Sequence, residues 1–249
     1  MAAGRGRRLG NLTQTTAKCM LDVNGRSILD RLLDTLVDAG VDRIVLVIGH
    51  AAEDIRRMQG TEHGGRPMHY VLNQLYEQTN TIYSLYLAKD FLAADDTLLV
   101  EGDLLLGSDI VRLCIDHASP DVAVVARFEP RMNGTVTQLT EDRSVAAFVM
   151  EDEIVAGLPT PYFKTVNLYK LSAGFSKTLV PYLEAGMAVH GRGVFYERVF
   201  KSMTIDGAVR FGAADVTGRP WFEVDTREDL DNARSCIAPY AGVASRGQQ

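Results

Sequence analysis

An α/β fold with helices on both faces of a sheet is predicted for this 249-residue sequence by three observations. Short, uninterrupted apolar runs, typical of strands buried on both faces, alternate with segments of helical periodicity. The composition, 46% apolar and 23% charged, is that of a globular protein able to bury a full core. No repeat, low-complexity tract or linker divides the chain, so we expect one domain over residues 1–237 and a frayed tail over residues 238–249.

The elements follow one another in this alternating order. The apolar side chains of residues 28–37 fall on one helical stripe, with Ser27 and Asp30 resembling a capping box and Gly40 as a natural stop. The continuous apolar run over residues 43–50 then predicts a buried strand. The same reasoning predicts helices near residues 53–58, 81–92, 173–184 and 193–203, a helix from Ser108 as cap to residue 117, a helix capped by Thr226 to residue 237, and strands near residues 69–72, 97–100 and 121–128.

The pattern changes between residues 132 and 168. Short apolar pieces over residues 134–139 and 144–150 are typical of antiparallel strands. We therefore expect a small antiparallel lobe in this region, added at the edge of the sheet.

Several function classes are disfavoured by the composition. A formal net charge of −6 argues against general nucleic-acid binding, which needs a basic face. No apolar run is long enough to span a bilayer or to serve as a secretion signal. The three cysteines, Cys19, Cys114 and Cys236, lie far apart and suggest neither disulfides nor a zinc site. We expect a cytoplasmic protein without a membrane or nucleic-acid partner.

The opening stretch, Gly4-Arg-Gly-Arg-Arg-Leu-Gly10, has several interpretations. A dinucleotide fingerprint needs a strand before the glycines and a helix directly after them, and a Walker loop needs a Lys-Ser/Thr pair that is absent. A mobile basic segment remains open. The other interpretation is a phosphate-binding loop, in which Gly4 and Gly6 expose backbone N–H groups while Arg8 and Lys18 supply charge.

Two aspartates stand where an α/β protein forms its site. Asp103 follows the predicted strand near residues 97–100, and Asp225 directly precedes the last predicted helix. Spacing alone explains Asp103 equally well as a turn residue, and Asp225 equally well as a neighbour of a helix cap, without any functional role. Carboxylate oxygens at strand ends are also the ligands that Mg²⁺ prefers.

Blocks of sequence distributed over nearly the whole chain resemble a known family. They are residues 2–18 (Ala-Ala-Gly-x-Gly-x-Arg, then Thr and Lys), 80–92, 101–103, 164–170, 195–200 and 221–231. Together they resemble the nucleotidyltransferases that make sugar nucleotides and CDP-alcohols, and most of all the bacterial phosphonate (2-aminoethylphosphonate) and phosphocholine cytidylyltransferases. The resemblance implies a three-layer α/β/α, Rossmann-like nucleotidyltransferase fold with a mixed, mostly parallel central sheet and a small edge β insertion.

The resemblance also implies roles for the charged residues. Arg8 would grip the β- and γ-phosphates of a nucleotide, and Lys18 would neutralise the α-phosphate. Asp103 would be the third catalytic residue, beside Arg8 and Lys18. It would hold Mg²⁺ together with Asp225. Glu223 would be a secondary metal ligand or a neighbour of the ligands.

Nucleotide-binding residues follow from the same family motifs. The resemblance assigns nucleotide contacts to Ala3, Gly4 and Gly6 of the glycine loop. It also assigns them to Asn80 and Ser84, although Asn80 is equally well explained as the cap of the following helix.

Four later residues are candidates for binding a second substrate, the acceptor. Lys164 and Asn167 would suit a phosphate or phosphonate head group. Tyr196 and Glu197 would suit an ammonium group, through a ring face and a carboxylate, although both also suit an ordinary amphipathic helix. Because Trp221 is the only tryptophan, the multi-walled aromatic cage expected for choline is disfavoured.

The sequence departs from the family pattern in two places. Asn11 and Ala17 stand where the family usually has prolines. The family also has an apolar strand before the glycines, whereas Met1 stands where that strand would end. Either the true start lies upstream or a central strand is truncated, and we favour the first.

The predicted function is a Mg²⁺-dependent cytidylyltransferase that transfers CMP from CTP to a small phosphonate or phosphoalcohol, with 2-aminoethylphosphonate as the best candidate. Because such an acceptor is largely dianionic at neutral pH, no general base is needed, and His50 is expected to be structural. Phosphocholine and sugar-1-phosphates remain alternative acceptors, and a non-catalytic nucleotide-binding regulatory subunit remains an alternative class. A homodimer would be consistent with the family.

Overall fold

The chain, of which the computed structural model describes residues 1–239, folds into a three-stranded, a six-stranded and a two-stranded β-sheet with helices packed around them. Its strands are β1 Ile44–Ile48, β2 Glu62–His63, β3 Arg66–Leu72, β4 Thr97–Val100, β5 Leu104–Leu106, β6 Val122–Arg127, β7 Val136–Leu139, β8 Val145–Val149, β9 Phe163–Leu171, β10 Gly212–Asp215 and β11 Trp221–Glu223. Its α-helices are α1 Ile28–Asp38, α2 Ala52–Gln59, α3 Thr81–Leu87, α4 Lys89–Leu92, α5 Ser108–Ile115, α6 Ala173–His190, α7 Glu197–Ile205 and α8 Arg227–Cys236, and short 3₁₀ helices cover Arg7–Thr13, Lys18–Met20 and Glu151–Glu153. Of the predicted tail over residues 238–249, residues 240–249 lie outside the described residues.

The predicted helix caps are confirmed at two of three helices. Ser27 accepts a hydrogen bond from the Asp30 backbone N–H at the start of α1, and Thr226 forms a capping box at the start of α8. The prediction for Ser108 is wrong, because Gly107 occupies the N-cap and Ser108 is already the first helical residue. The predicted helix over residues 81–92 is divided at Ala88 into α3 and α4.

The two faces of the sheet carry separate cores, which makes the fold the predicted three-layer one. Val122 and Val124 of β6 pack into the cluster under α1, α2 and α5. Their alternating neighbours, Ala123 and Val125, pack into the cluster under α3, α6 and α7. Such alternation is what a strand covered on both sides requires.

Pairing in the sheet is mixed, as expected, but it is not mostly parallel. Within residues 1–239, β1 with β3 and β10 with β6 are the parallel pairs of strands, while the other pairs are antiparallel. The expected edge lobe is only partly correct. Strands β7 and β8 form an antiparallel edge, but β9, which begins inside the same region, pairs with β4, β6 and β7 and is therefore central.

Residues Met1 to Ala3 lie between β1 and β4. Ala2 bridges Ile48 in parallel, and the Gly102 N–H donates to the Met1 carbonyl at 2.7 Å. A Cβ atom at Gly102 would lie 2.8 Å from that carbonyl oxygen, so this position requires glycine. The contacts place the glycine loop over the carboxyl ends of both strands. None of the described helices is both long and apolar enough to cross a membrane.

Candidate active site

A cavity of about 360 Å³ opens where the glycine loop meets the carboxyl ends of the strands. It collects nearly all the residues that the sequence singled out, although they are spread over more than 200 positions. The predicted site residues that line it are Ala3, Gly4, Gly6, Arg8, Lys18, Asn80, Ser84, Asp103, Lys164, Asn167, Glu197, Glu223 and Asp225.

The centre of this site is a lysine shared by two aspartates. The Lys18 ammonium lies 2.5 Å from Asp103 Oδ2 and 2.6 Å from Asp225 Oδ1. All three side chains are at most one-fifth exposed. We call Lys18, Asp103 and Asp225 the ion-pair centre.

Charge pairing shifts the pKa values of this centre. Burial alone would lower the pKa of Lys18, but the two carboxylates together outweigh burial and raise it. Burial works against ionisation of Asp225, yet Lys18 and then Arg8 bring its pKa below the usual value. Arg8, which is 59% exposed, donates to Asp225 Oδ2 at 2.8 Å. Lys18 and Asp225 are therefore both charged at neutral pH, and the more exposed Arg8 lies beside them.

The ion-pair centre also has the chemistry of a divalent-cation site. Its two carboxylates already reach a single cation, the Lys18 ammonium, and Asp103 Oδ1 is buried without a partner. Within residues 1–239 no three His, Cys, Asp or Glu side chains are grouped as a metal site. Two carboxylates nevertheless suit Mg²⁺, which usually binds one or two carboxylates together with substrate phosphates and water.

Glu223, predicted as a secondary ligand, is engaged elsewhere. Its Oε1 accepts from Asn167 Nδ2 at 2.8 Å, and its Oε2 lies 3.3 Å from the Lys164 ammonium. Burial raises the pKa of Glu223, and Lys164 offsets this only in part. The arrangement fits a neighbour of the metal ligands better than a ligand.

The glycine loop is shaped by its contact with Lys18. Gly6 has a φ of 64° and forms the N-cap of the first 3₁₀ helix. A Cβ atom there would lie 3.0 Å from Lys18 Cβ. Thr13 donates to the Gly6 carbonyl at 2.9 Å, and the ring of His50 lies 2.9 Å from the Thr13 carbonyl. His50 thus holds the loop, as expected of a structural histidine.

A polar network forms the wall opposite the ion-pair centre. Asn73, which is buried, donates to both Thr79 Oγ1 and Ser84 Oγ at 3.0 Å. Asn80 caps α3 by accepting from the Thr81 N–H at 2.8 Å. The cap interpretation of Asn80 is therefore correct, and its side chain still lines the cavity.

Three of the four acceptor candidates, Lys164, Asn167 and Glu197, line the cavity. Lys164 is 2% exposed and donates to the Thr165 carbonyl, while Asn167 adopts a φ of 58°. Tyr196 does not line the cavity. It is fully buried, with its ring 5.2 Å from that of Phe200, so the ring face predicted to meet an ammonium group contacts the core.

The sequence interpretation missed several cavity residues. Glu101, Gly134, Thr135 and Phe195 also line the cavity. Glu101 stands in the Glu-Gly-Asp block, only two positions before Asp103, and its strand-end position was the available signal. Burial raises the pKa of Glu101 to about 8 and that of Glu197 to about 7.

Comparisons with known proteins identify the family and the fold. The model of the MobA-like NTP transferase domain matches residues 1–198. The solved structure of the CTP:phosphocholine cytidylyltransferase of Streptococcus pneumoniae has a TM-score of 0.75, covering 94% of this chain and 95% of that chain at 19% identity. The latter similarity confirms the predicted nucleotidyltransferase fold.

Two curated relatives carry phosphonate chemistry in their names. The CMP-5'-(3-aminopropyl)phosphonate synthase of Streptomyces rubellomurinus is 32% identical over 244 residues, covering 96% of this chain and 38% of that protein. The 2-aminoethylphosphonate cytidylyltransferase of Lancefieldella rimae is 36% identical over 109 residues, covering 44% of this chain and 43% of that protein. The chain spans less than half the length of these relatives.

Proposed function

The chain belongs to the MobA-like NTP transferase domain family, and from this premise we propose that it is a Mg²⁺-dependent cytidylyltransferase. It would transfer CMP from CTP to a small phosphonate or phosphoalcohol, with 2-aminoethylphosphonate as the favoured acceptor. The observation that carries the proposal is the ion-pair centre at the wall of the cavity, beside the glycine loop. The names of the two curated relatives support the choice of a phosphonate acceptor.

The reaction joins two anions, so the protein must neutralise charge and align atoms. An oxygen of the acceptor phosphonate attacks the α-phosphorus of CTP, the bond between the α-phosphorus and the bridging oxygen breaks, and pyrophosphate leaves with that oxygen. The acceptor oxygen is already deprotonated, so no side chain has to remove a proton.

Lys18 and Arg8 are the cations available for the triphosphate. Lys18 stays protonated because its pKa is raised, and it can exchange a carboxylate partner for an oxygen of the α-phosphate. Arg8 is exposed enough to offer its planar fork to the outer phosphates. Gly4 and Gly6 leave backbone N–H groups accessible between these cations.

Asp103 and Asp225 would hold the divalent ion. When bound, Mg²⁺ supplies positive charge that offsets the developing charge on the phosphate oxygens. The buried, unpartnered Asp103 Oδ1 is the oxygen best prepared to bind it.

The acceptor phosphonate would bind opposite the nucleotide, at Lys164 and Asn167. Lys164 and Asn167 both line the cavity, and the Lys164 ammonium is the cation of this pair. Asn80 and Ser84 are the candidate contacts to the cytidine, since both polar side chains line the opposite wall.

The test is pyrophosphate release measured with CTP, ATP, GTP and UTP against 2-aminoethylphosphonate, phosphocholine and glucose-1-phosphate, with and without Mg²⁺. We expect turnover with CTP and 2-aminoethylphosphonate, and its loss when the metal is chelated. Faster pyrophosphate release with phosphocholine or with glucose-1-phosphate would show that this compound, and not 2-aminoethylphosphonate, is the preferred acceptor. Nucleotide binding without turnover on any acceptor would favour the regulatory subunit and contradict the proposal.

A further inference from the structure

Two further glutamates, Glu101 and Glu197, line the cavity. Glu197 lines the cavity, is 6% exposed, and has an Oε2 atom that is buried without a hydrogen-bond partner. Glu101 lines the same cavity, and its Oε1 atom is likewise buried and unpartnered. Neither carboxylate belongs to an ion pair within residues 1–239. We call Glu101 and Glu197 the acidic wall.

Two buried tyrosine hydroxyls surround the acidic wall. Tyr169 and Tyr196 are both fully buried, and the Tyr196 hydroxyl lies close enough to Glu101 to act as a hydrogen-bond donor to it. Their rings contact each other edge to face, with centroids 5.9 Å apart. The charge of Glu197 is close enough to raise the pKa values of Glu101, Tyr169 and Tyr196. The acidic wall is therefore crowded with oxygen atoms, and the cations that act on it are the ammonium groups of Met1 and Lys164.

Two neighbouring cations are engaged with other acceptors. The Met1 ammonium, which favours ionisation of Glu101, donates to the Val100 carbonyl at 2.6 Å. Lys164 is close enough to Glu197 to favour its ionisation. Its ammonium, however, donates to the Thr165 carbonyl at 2.7 Å and lies 3.3 Å from Glu223. The Oε2 atom of Glu197 thus keeps no hydrogen-bond partner within residues 1–239 and is available to a donor that enters the cavity.

Burying a carboxylate oxygen without a hydrogen-bond partner costs free energy. A ligand that brings both N–H donors and positive charge removes that cost. A primary ammonium group has three N–H donors. A trimethylammonium group has none and is bound by aromatic faces, whereas the Tyr169 and Tyr196 rings contact the core. The chemistry of the wall fits the first cation and not the second.

We propose that Glu101 and Glu197 together bind the primary ammonium group of the acceptor. The site then selects ω-aminoalkyl phosphonates or phosphates over trimethylammonium and uncharged analogues of the same length. This inference rests on the proposed function. It adds Glu101 as a specificity-determining residue. It also assigns the contact with the ammonium group to carboxylate oxygens and not to the ring face of Tyr196.

The test compares acceptors that differ only at the amino end. Dissociation constants are measured by calorimetry, and kcat/KM by pyrophosphate release, for 2-aminoethylphosphonate, ethylphosphonate and the trimethylammonium analogue. The pair phosphoethanolamine and ethyl phosphate repeats the comparison for phosphate esters. We expect the ammonium compound to bind at least tenfold better in each series, since one charge-assisted hydrogen bond corresponds to roughly a 10- to 150-fold difference.

Variants then locate the effect. Glu101→Gln and Glu197→Gln should each reduce the preference for the ammonium over the uncharged compound to a few-fold. Glu141→Gln, an exposed glutamate away from the cavity, should leave the preference unchanged. Thermal unfolding of each variant reports whether its fold is retained.

Equal binding of aminoethyl- and ethylphosphonate to the parent protein would overturn the proposal without any variant. A loss that is equal for all acceptors in the Gln variants would also overturn it, because that is the result of a structural role. If no acceptor supports turnover, the proposed function fails, but the calorimetric preference still decides the ammonium site.

Discussion

The ion-pair centre and the acidic wall hold their charges in opposite ways. In the ion-pair centre each carboxylate has a cation: Lys18 contacts both Asp103 and Asp225. In the acidic wall, Glu101 and Glu197 each have one carboxylate oxygen that is buried without a hydrogen-bond partner. Paired charges stabilise each other before any ligand arrives, whereas unpaired ones cost free energy until a ligand supplies the missing partner.

This difference predicts opposite signs for similar substitutions. Removing one member of a buried pair leaves an uncompensated charge and destabilises the fold. Neutralising a buried, unpartnered carboxylate removes a desolvation cost and stabilises the fold wherever that group would be ionised. Activity and stability measurements can therefore test the ion-pair centre and the acidic wall separately.

The largest expected effect is on turnover at the ion-pair centre. Asp103→Asn keeps the shape of the side chain but removes the charge that faces both Lys18 and the proposed metal. Pyrophosphate release with CTP and acceptor should fall roughly 100- to 1,000-fold, as when a preorganised electrostatic group is lost. Asp109→Asn, which breaks an exposed pair with Arg219, is the matched control and should retain full turnover. Retained turnover in Asp103→Asn would mean that the centre is not catalytic.

The next effect is on stability at the same centre. Lys18→Met leaves two buried carboxylates without their shared cation and should lower the free energy of unfolding by about 3 kcal/mol at pH 7. Lys201→Met, which breaks a more exposed pair with Glu153, should cost less than about 1 kcal/mol.

The pH dependence of this loss follows from Asp225. Its pKa is lowered in the folded parent, so its contribution to stability is present at neutral pH and is lost as the pH falls through the folded value. Urea unfolding should therefore show the difference between Lys18→Met and the parent shrinking between pH 7 and pH 3. A difference that is constant with pH would show that Lys18 contributes packing and not charge.

The sequence predicted the ion-pair centre better than the acidic wall. Lys18, Asp103 and Asp225 each belong to a sequence motif. Motifs can therefore point to residues of one site even when they are far apart in the chain, as Lys18 and Asp225 are, at 207 positions. Glu101 has a strand-end position as its local signal, but nothing in the sequence shows that one of its carboxylate oxygens is buried. Its burial depends on the packing of Tyr196, whose ring joins an aromatic cluster that no periodicity reveals.

The fold shows the same division between local and non-local information. The caps of α1 and α8 depend on residues three apart, so Ser27 and Thr226 could be identified from sequence. The central position of β9 depends on pairing with three distant strands, and its first residues read as an edge strand. β10 was missed because its sequence, Gly-Ala-Ala-Asp, has low strand propensity and is held by β6.

The smallest expected effect tests the acidic wall, through the stability of Glu197→Gln. Burial raises the pKa of Glu197 from 4.5 to about 7, so the folded protein retains a proton there that the unfolded chain releases. Stability of the parent must then decline as the pH rises from about 5 to 8, because the folded state binds more protons over that range. The glutamine cannot ionise and does not contribute this decline.

At pH 5 the parent and Glu197→Gln should therefore be similarly stable, whereas at pH 8 the variant should be more stable by between about 1 and 3 kcal/mol, at about 1.4 kcal/mol per unit of pKa difference. Chemical denaturation at both pH values measures this directly, with Glu141→Gln as an exposed control. Glu101, Glu223 and Lys164 also influence Glu197, but they are common to the parent and the variant and so largely cancel in the comparison. Equal pH slopes would mean that Glu197 already has a partner in the folded chain, and the contrast between the ion-pair centre and the acidic wall would not hold.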